Sequence, residues 1–143
     1  MNRIRIGRML LAGLVTLLVF ILLEFVWEGL IGEALFSDFV KAYRETSVSL
    51  HWNWKNVVIN IGVALVNCVL MIWLYAALRP MFGVGPRNAL ITSGFVFGFV
   101  LSFSINFVNL GVYSKYIAFG EQVNLFVELP LSLIAGAFVY EAD

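Results

Sequence analysis

Three carboxylates interrupt long apolar runs: Glu24 and Glu28 follow the uncharged stretch 9–23, and Glu128 stands inside the stretch 123–140. An ionisable group at membrane depth is costly to desolvate, and a proton, a cation or a partner group is what holds it there. Glu24 and Glu28 are four residues apart and therefore share one face of a helix. Asn60, Asn106 and Asn109 are neutral amides placed near the corresponding ends of their own segments. Glu24, Glu28, Asn60, Asn106, Asn109 and Glu128 thus form a candidate ligand or ion site. In that reading Glu24 and Glu128 are a proton- or cation-linked pair, and Asn60 and Asn106 are neutral ligands. The plainer role for the same groups is interhelical hydrogen bonding, which is worth about 0.6 kcal/mol per bond in membranes. Pro130, two residues beyond Glu128, removes a backbone donor and frees carbonyls beside it.

Other chemistry finds little support in the residues. There is no serine–histidine–acid order, no HExxH and no pair of histidines, so the chain reads as a non-enzyme with no metal site. His51 is the one histidine, flanked by Trp52 and Trp54, and suits an interfacial hydrogen bonder. Cys68, the one cysteine, lies in an apolar run, makes no intrachain disulfide and reads as a small filler. Gly83-x-Gly85 is no nucleotide fingerprint, because no strand precedes it and a third glycine is misplaced. The cofactor is left open.

The elements that must position these groups follow from composition. Apolar residues make up 62% of the 143 and charged ones 13%, against about 45–50% and about 25% in an ordinary soluble domain. The mean hydropathy is +0.94. That balance excludes a disordered tail and a disulfide scaffold, and it leaves too little polar surface to cover a soluble globule. Nine basic residues balance nine acidic ones, so no nucleic-acid partner is expected. Four stretches, at about residues 9–31, 57–78, 89–113 and 123–140, are long enough to cross a bilayer, which takes about 20 mostly apolar residues. Only helices let such continuous runs satisfy their own backbone groups. The expected fold is an all-α integral membrane protein, a single transmembrane domain over residues 1–143 built as a four-helix bundle.

A short interfacial helix is expected in the first loop, residues 32–55. There Leu35, Phe36, Phe39, Val40 and Tyr43 recur at helical spacing, opposite Asp38, Lys41, Arg44 and Glu45. Arg3, Arg5 and Arg8 precede the first run, but no small-x-small cleavage site follows it, so it reads as a retained anchor. Arg3, Arg5, Arg8, Arg79 and Arg87 fall on one side of the bundle, and Lys41, Arg44, Lys55 and Lys115 on the other. The cluster at the N-terminus places both termini and the second loop in the cytoplasm. In that loop Pro80 is expected to end the second helix, and the glycines to allow a sharp reversal.

Spacing also nominates packing faces. Gly94, Gly98, Ser102 and Asn106 recur every four residues on the third segment, a GxxxG pattern suited to close helix contact. Ser132 and Gly136 continue the interval from Glu128 on the fourth. Gly98→Leu is therefore expected to disrupt packing of the third helix within a compact bundle. The polar pocket is expected to open at the end away from the second loop, while the half near that loop holds Thr16, Thr92 and Ser93 but nothing ionisable.

The stretch Ile72-Trp73-Leu74-Tyr75-Ala76-Ala77-Leu78-Arg79-Pro80, followed by Gly83-x-Gly85-Pro86-Arg87-x-Ala89, resembles a helical hairpin of small, uncharacterised four-helix bacterial inner-membrane proteins. The resemblance covers the second and third segments. It implies a bacterial inner-membrane location and no activity. The favoured expectation is a structural or accessory subunit whose partners are the bilayer and other membrane subunits or further copies of itself. The rival is a homo-oligomeric transport or binding module using the carboxylate site.

Overall fold

The computed structural model describes residues 5–27, 54–111 and 115–142, with the side chains of residues 116 and 117 left aside. The described residues are helical, with no strand among them. The elements in chain order are α1 (Ile6–Val26), α2 (Trp54–Phe82), α3 (Pro86–Asn109) and α4 (Lys115–Glu141). All four are long and apolar enough to cross a membrane. The interfacial helix expected in residues 32–55 lies outside the described residues, as do Glu28 and His51.

Helix ends are set by backbone chemistry rather than by the limits of the apolar runs. Pro80 does not end α2, which continues to Phe82. At the last turn of a helix a missing N–H costs one bond at most, and Pro80 lies near enough to the end to be absorbed. The stop comes at Gly83, whose φ of 82° is left-handed and whose N–H donates to Arg79 O at 2.9 Å. Gly85, with φ of 102°, then precedes Pro86, which occupies the first turn of α3. At the other end of α3, Gly111 (φ 73°) halts the helix before residue 113. Helix α4 begins at Lys115 rather than near residue 123, because Glu121, Gln122 and Asn124 find positions on it. It runs through Pro130 without a break.

Helix α4 is the spine. It packs against α1 most extensively, then α3, and touches α2 across the bundle, while α1 and α3 occupy opposite corners. Its share of buried residues is at least twice that of any other helix. The buried stripe runs Gly120, Asn124, Glu128, Ser132, Gly136 and Tyr140, an uninterrupted four-residue interval. Small members of that stripe let backbones approach. A Cβ on Gly136 would lie 2.9 Å from Ala12 O and 2.9 Å from Ile72 Cδ1, and would collide with Thr16 Oγ1. Three helices therefore converge on one missing methyl. Thr16 donates to Ala12 O at 2.9 Å, which keeps its hydroxyl satisfied in this dry contact. Gly13 makes the second close approach, with Val69 Cγ2 at 2.5 Å from its ideal Cβ. The core around these contacts is Ala12, Met71, Ile72, Tyr75, Ala89, Leu129, Leu133, Ala137 and Tyr140. It sits toward the α2–α3 hairpin, so the bundle is tightest at that end. Cys68 is buried and free.

Candidate functional site

Two polar groupings occupy the two ends of the bundle. At the end away from the hairpin, Asn124 Nδ2 donates to Glu24 Oε2 at 3.0 Å, joining α4 to α1. Asn124 is buried and Glu128, one turn further along the same stripe, is 2% exposed. Glu121 lies within electrostatic range of Glu24. Ser132 donates to Glu128 O at 2.7 Å and to Leu129 O at 3.2 Å, so its hydroxyl serves the backbone in the turn that contains Pro130. Gln122 Nε2 donates to Ser104 Oγ at 2.8 Å, tying α4 to α3 at similar height. This grouping can hold a proton or present carboxylate oxygens to a donor. No cluster of three metal-ligating side chains occurs among the described residues.

The asparagines expected to complete it do not join it. Asn60, Asn106 and Asn109 are all exposed, Asn60 on α2 and the other two on α3. Asn106 Nδ2 donates to Ser102 O within its own helix at 2.9 Å. The partner of Glu24 is instead Asn124, four residues before Glu128. That i, i+4 relation to a carboxylate within an apolar run was the available signal.

The α3 stripe likewise points outward. Ser102 is exposed and donates to Gly98 O at 2.8 Å. A Cβ on Gly94 or Gly98 would meet no other described residue beyond its own helix turn within 4 Å. The expected packing of Gly94, Gly98 and Ser102 inside the bundle is therefore corrected: α3 buries Asn88, Ala89, Thr92, Ser93 and Ser104, a different face. The interval of four fits both faces of a helix, and only the larger apolar and polar contacts to α2 and α4 decide between them. Ser132 and Gly136, by contrast, are buried.

The hairpin end holds the denser network. Tyr75 is fully buried, and its hydroxyl donates to Glu141 Oε1 at 3.1 Å while accepting from the Gly85 N–H at 2.9 Å. Arg79 Nη2 pairs with Glu141 Oε2 at 2.8 Å, and its guanidinium lies 5.7 Å from the centre of the Tyr140 ring. Tyr75 and Tyr140 meet edge to face at 6.3 Å. Asn88 Nδ2 donates to Tyr75 O at 3.0 Å, and Arg8 Nη1 donates to Ala142 O. It lies at the ends of the apolar runs, beyond the half expected to hold Thr16, Thr92 and Ser93 but nothing ionisable. Arg79, expected at the headgroups, and Glu141 are 62 residues apart in the sequence, and only the antiparallel return of α4 brings them together. Chemically this network is a clasp that ties the hairpin and both terminal helices. Compared with models of known protein families, with characterised protein sequences and with solved structures, the chain gives no match.

Proposed function

We propose that the chain is a multi-pass protein of a bacterial inner membrane, with both termini and the α2–α3 hairpin in the cytoplasm, and that it works as a non-enzymatic structural or accessory subunit of a larger membrane assembly. The observation that carries this reading is the outward face of α3. Gly94, Gly98, Ser102, Asn106 and Asn109 are exposed along a helix of 24 residues. Amide groups facing hydrocarbon are costly, and small residues flanking them let another backbone approach closely enough to satisfy them. Asn60 and Asn67 are exposed in the same way on α2.

The test is Gly98→Leu. Among the described residues, none beyond its own helix turn lies within 4 Å of the added side chain's base, so the isolated protein is expected to keep its thermal stability in detergent. Co-purification of partner subunits from native membranes is expected to fall severalfold. Loss of stability with partners retained would overturn the reading. Orientation is checked separately in a Cys68→Ser background. A thiol at Val84, an exposed hairpin residue, is expected to stay protected from an impermeant reagent applied outside, while one at Ser47 reacts.

The second reading, a homo-oligomeric transport or binding module, is favoured by the Glu24–Asn124 bond and the buried Glu128 on the next turn. A stable homo-oligomer in mild detergent would favour it, and co-purification with larger proteins favours the accessory role.

A further inference from the structure

Between α3 and α4, at the end away from the hairpin, the helices part to leave an open groove of about 490 Å³. Its walls are apolar, with Leu101 and Ile105 from α3 facing Val123 and Val127 from α4. The Gln122–Ser104 hydrogen bond spans the two helices within it. The edge-to-face pair Phe97–Phe126, with ring centres 5.3 Å apart, closes its deep end. Among the described residues one charged side chain lines it, Lys115, which is exposed at the first position of α4, with Asn109 opposite on α3.

We propose that this groove binds an anionic phospholipid, with one acyl chain between α3 and α4 and the headgroup phosphate on Lys115. Three observations select that occupant. From Lys115 to Val127 the groove is about 18 Å deep at 1.5 Å per residue, close to the ~15 Å of one hydrocarbon leaflet. Lys115 precedes the apolar span that begins at Ala118, so the positive charge sits at headgroup height while the described lining below it, but for Ser104, Gln122 and Asn109, is apolar. The lining is bulky, with Phe97, Leu101, Ile105, Phe119, Val123 and Phe126 along it, whereas a second helix packs closely in a membrane over small residues. A flexible chain fits where a helix does not. The proposal rests on the chain spanning a bilayer.

The experiment is native mass spectrometry of the purified full chain, incubated with phosphatidylglycerol or with phosphatidylcholine of the same acyl chains. The wild type is expected to retain phosphatidylglycerol about fivefold better, the factor one basic residue contributes at an anionic surface. Lys115→Gln is expected to make the two lipids equal without reducing phosphatidylcholine. Val123→Trp, which fills the groove, is expected to reduce both. Lys115 is exposed, so the decision does not depend on the bulkier variant folding. Equal retention of the two lipids by the wild type, or a preference that survives Lys115→Gln, would overturn the groove proposal while leaving the membrane reading intact. A doubled mass free of lipid would overturn it in favour of a second copy. Absence of adducts with either lipid would overturn it too, while leaving the membrane reading, which stands on the four apolar helices, intact.

Discussion

Gly136→Leu is expected to be the most damaging single substitution in the chain. The ideal Cβ at this position already sits 2.9 Å from Ala12 O and from Ile72 Cδ1 and collides with Thr16 Oγ1. Two of these neighbours are backbone or a short β-branched side chain, and neither can move aside. Overpacking a tight core costs about 1–3 kcal/mol and sometimes more. Here α1, α2 and α4 would all have to separate at once, so a cost well beyond that range, and above that of any single side-chain deletion, is expected. Thermal unfolding in detergent measures it. Gly136→Ala is the informative intermediate, because it adds one methyl and is expected to be destabilising too. A Gly136→Leu protein with the thermal stability of wild type would show that α4 does not pack on α1 and α2 as described. The contrast with Gly98→Leu, the same change on an exposed face of α3, separates a packing effect from the general cost of a larger side chain.

Tyr75→Ala is expected to have the second largest effect. Deleting a buried aromatic side chain costs about 3–5 kcal/mol. Tyr75 is fully buried against Tyr140, and its hydroxyl also links the Gly85 N–H to Glu141. Tyr75→Phe isolates the second contribution, since it keeps the ring and leaves the Gly85 donor without its acceptor, a loss of about 1–3 kcal/mol. The expected order of stability is wild type, Tyr75→Phe, Tyr75→Ala. Proteolysis at the hairpin is expected to rise in both variants, because the Gly83–Gly85 turn would lose its tie to the bundle. If Tyr75→Phe equalled wild type in both assays, the hydroxyl bridge would contribute nothing to holding the turn.

The outward stripe of α3 shows why spacing alone misleads in a membrane chain. In water an apolar face turns inward, and the hydrophobic pattern tells the two sides of a helix apart. In lipid both sides are apolar, so small residues at an interval of four mark a face fit for contact without saying whether the contact is internal. Gly136 and Gly98 look alike in sequence. One sits at the junction of three helices, and the other meets no described residue beyond its own helix turn within 4 Å.

The polar groups divide in the same way. Glu24 and Glu128 stand out in sequence because a carboxylate in an apolar run is rare, and the structure places Glu128 in the core and Glu24 on a hydrogen bond to α4. Their companions were harder to read. Asn60, Asn106 and Asn109 share depth with them but lie on other azimuths, and depth comes from residue number while azimuth comes from how each helix is rotated in its neighbours' grooves.

What the sequence by itself determined is the inventory of elements: four long apolar helices, because a run of that length has no other way to satisfy its backbone in hydrocarbon, and the tight α2–α3 reversal, because Gly83, Gly85 and Pro86 admit the required φ values. What only the tertiary structure decided is which face of each helix turns inward. The spine role of α4, the Glu24–Asn124 bond and the Tyr75–Arg79–Glu141 clasp all depend on contacts between residues far apart in the chain. In a bilayer those contacts are chosen by shape and hydrogen bonding between helices, and neither quantity is written in the hydropathy of any one segment.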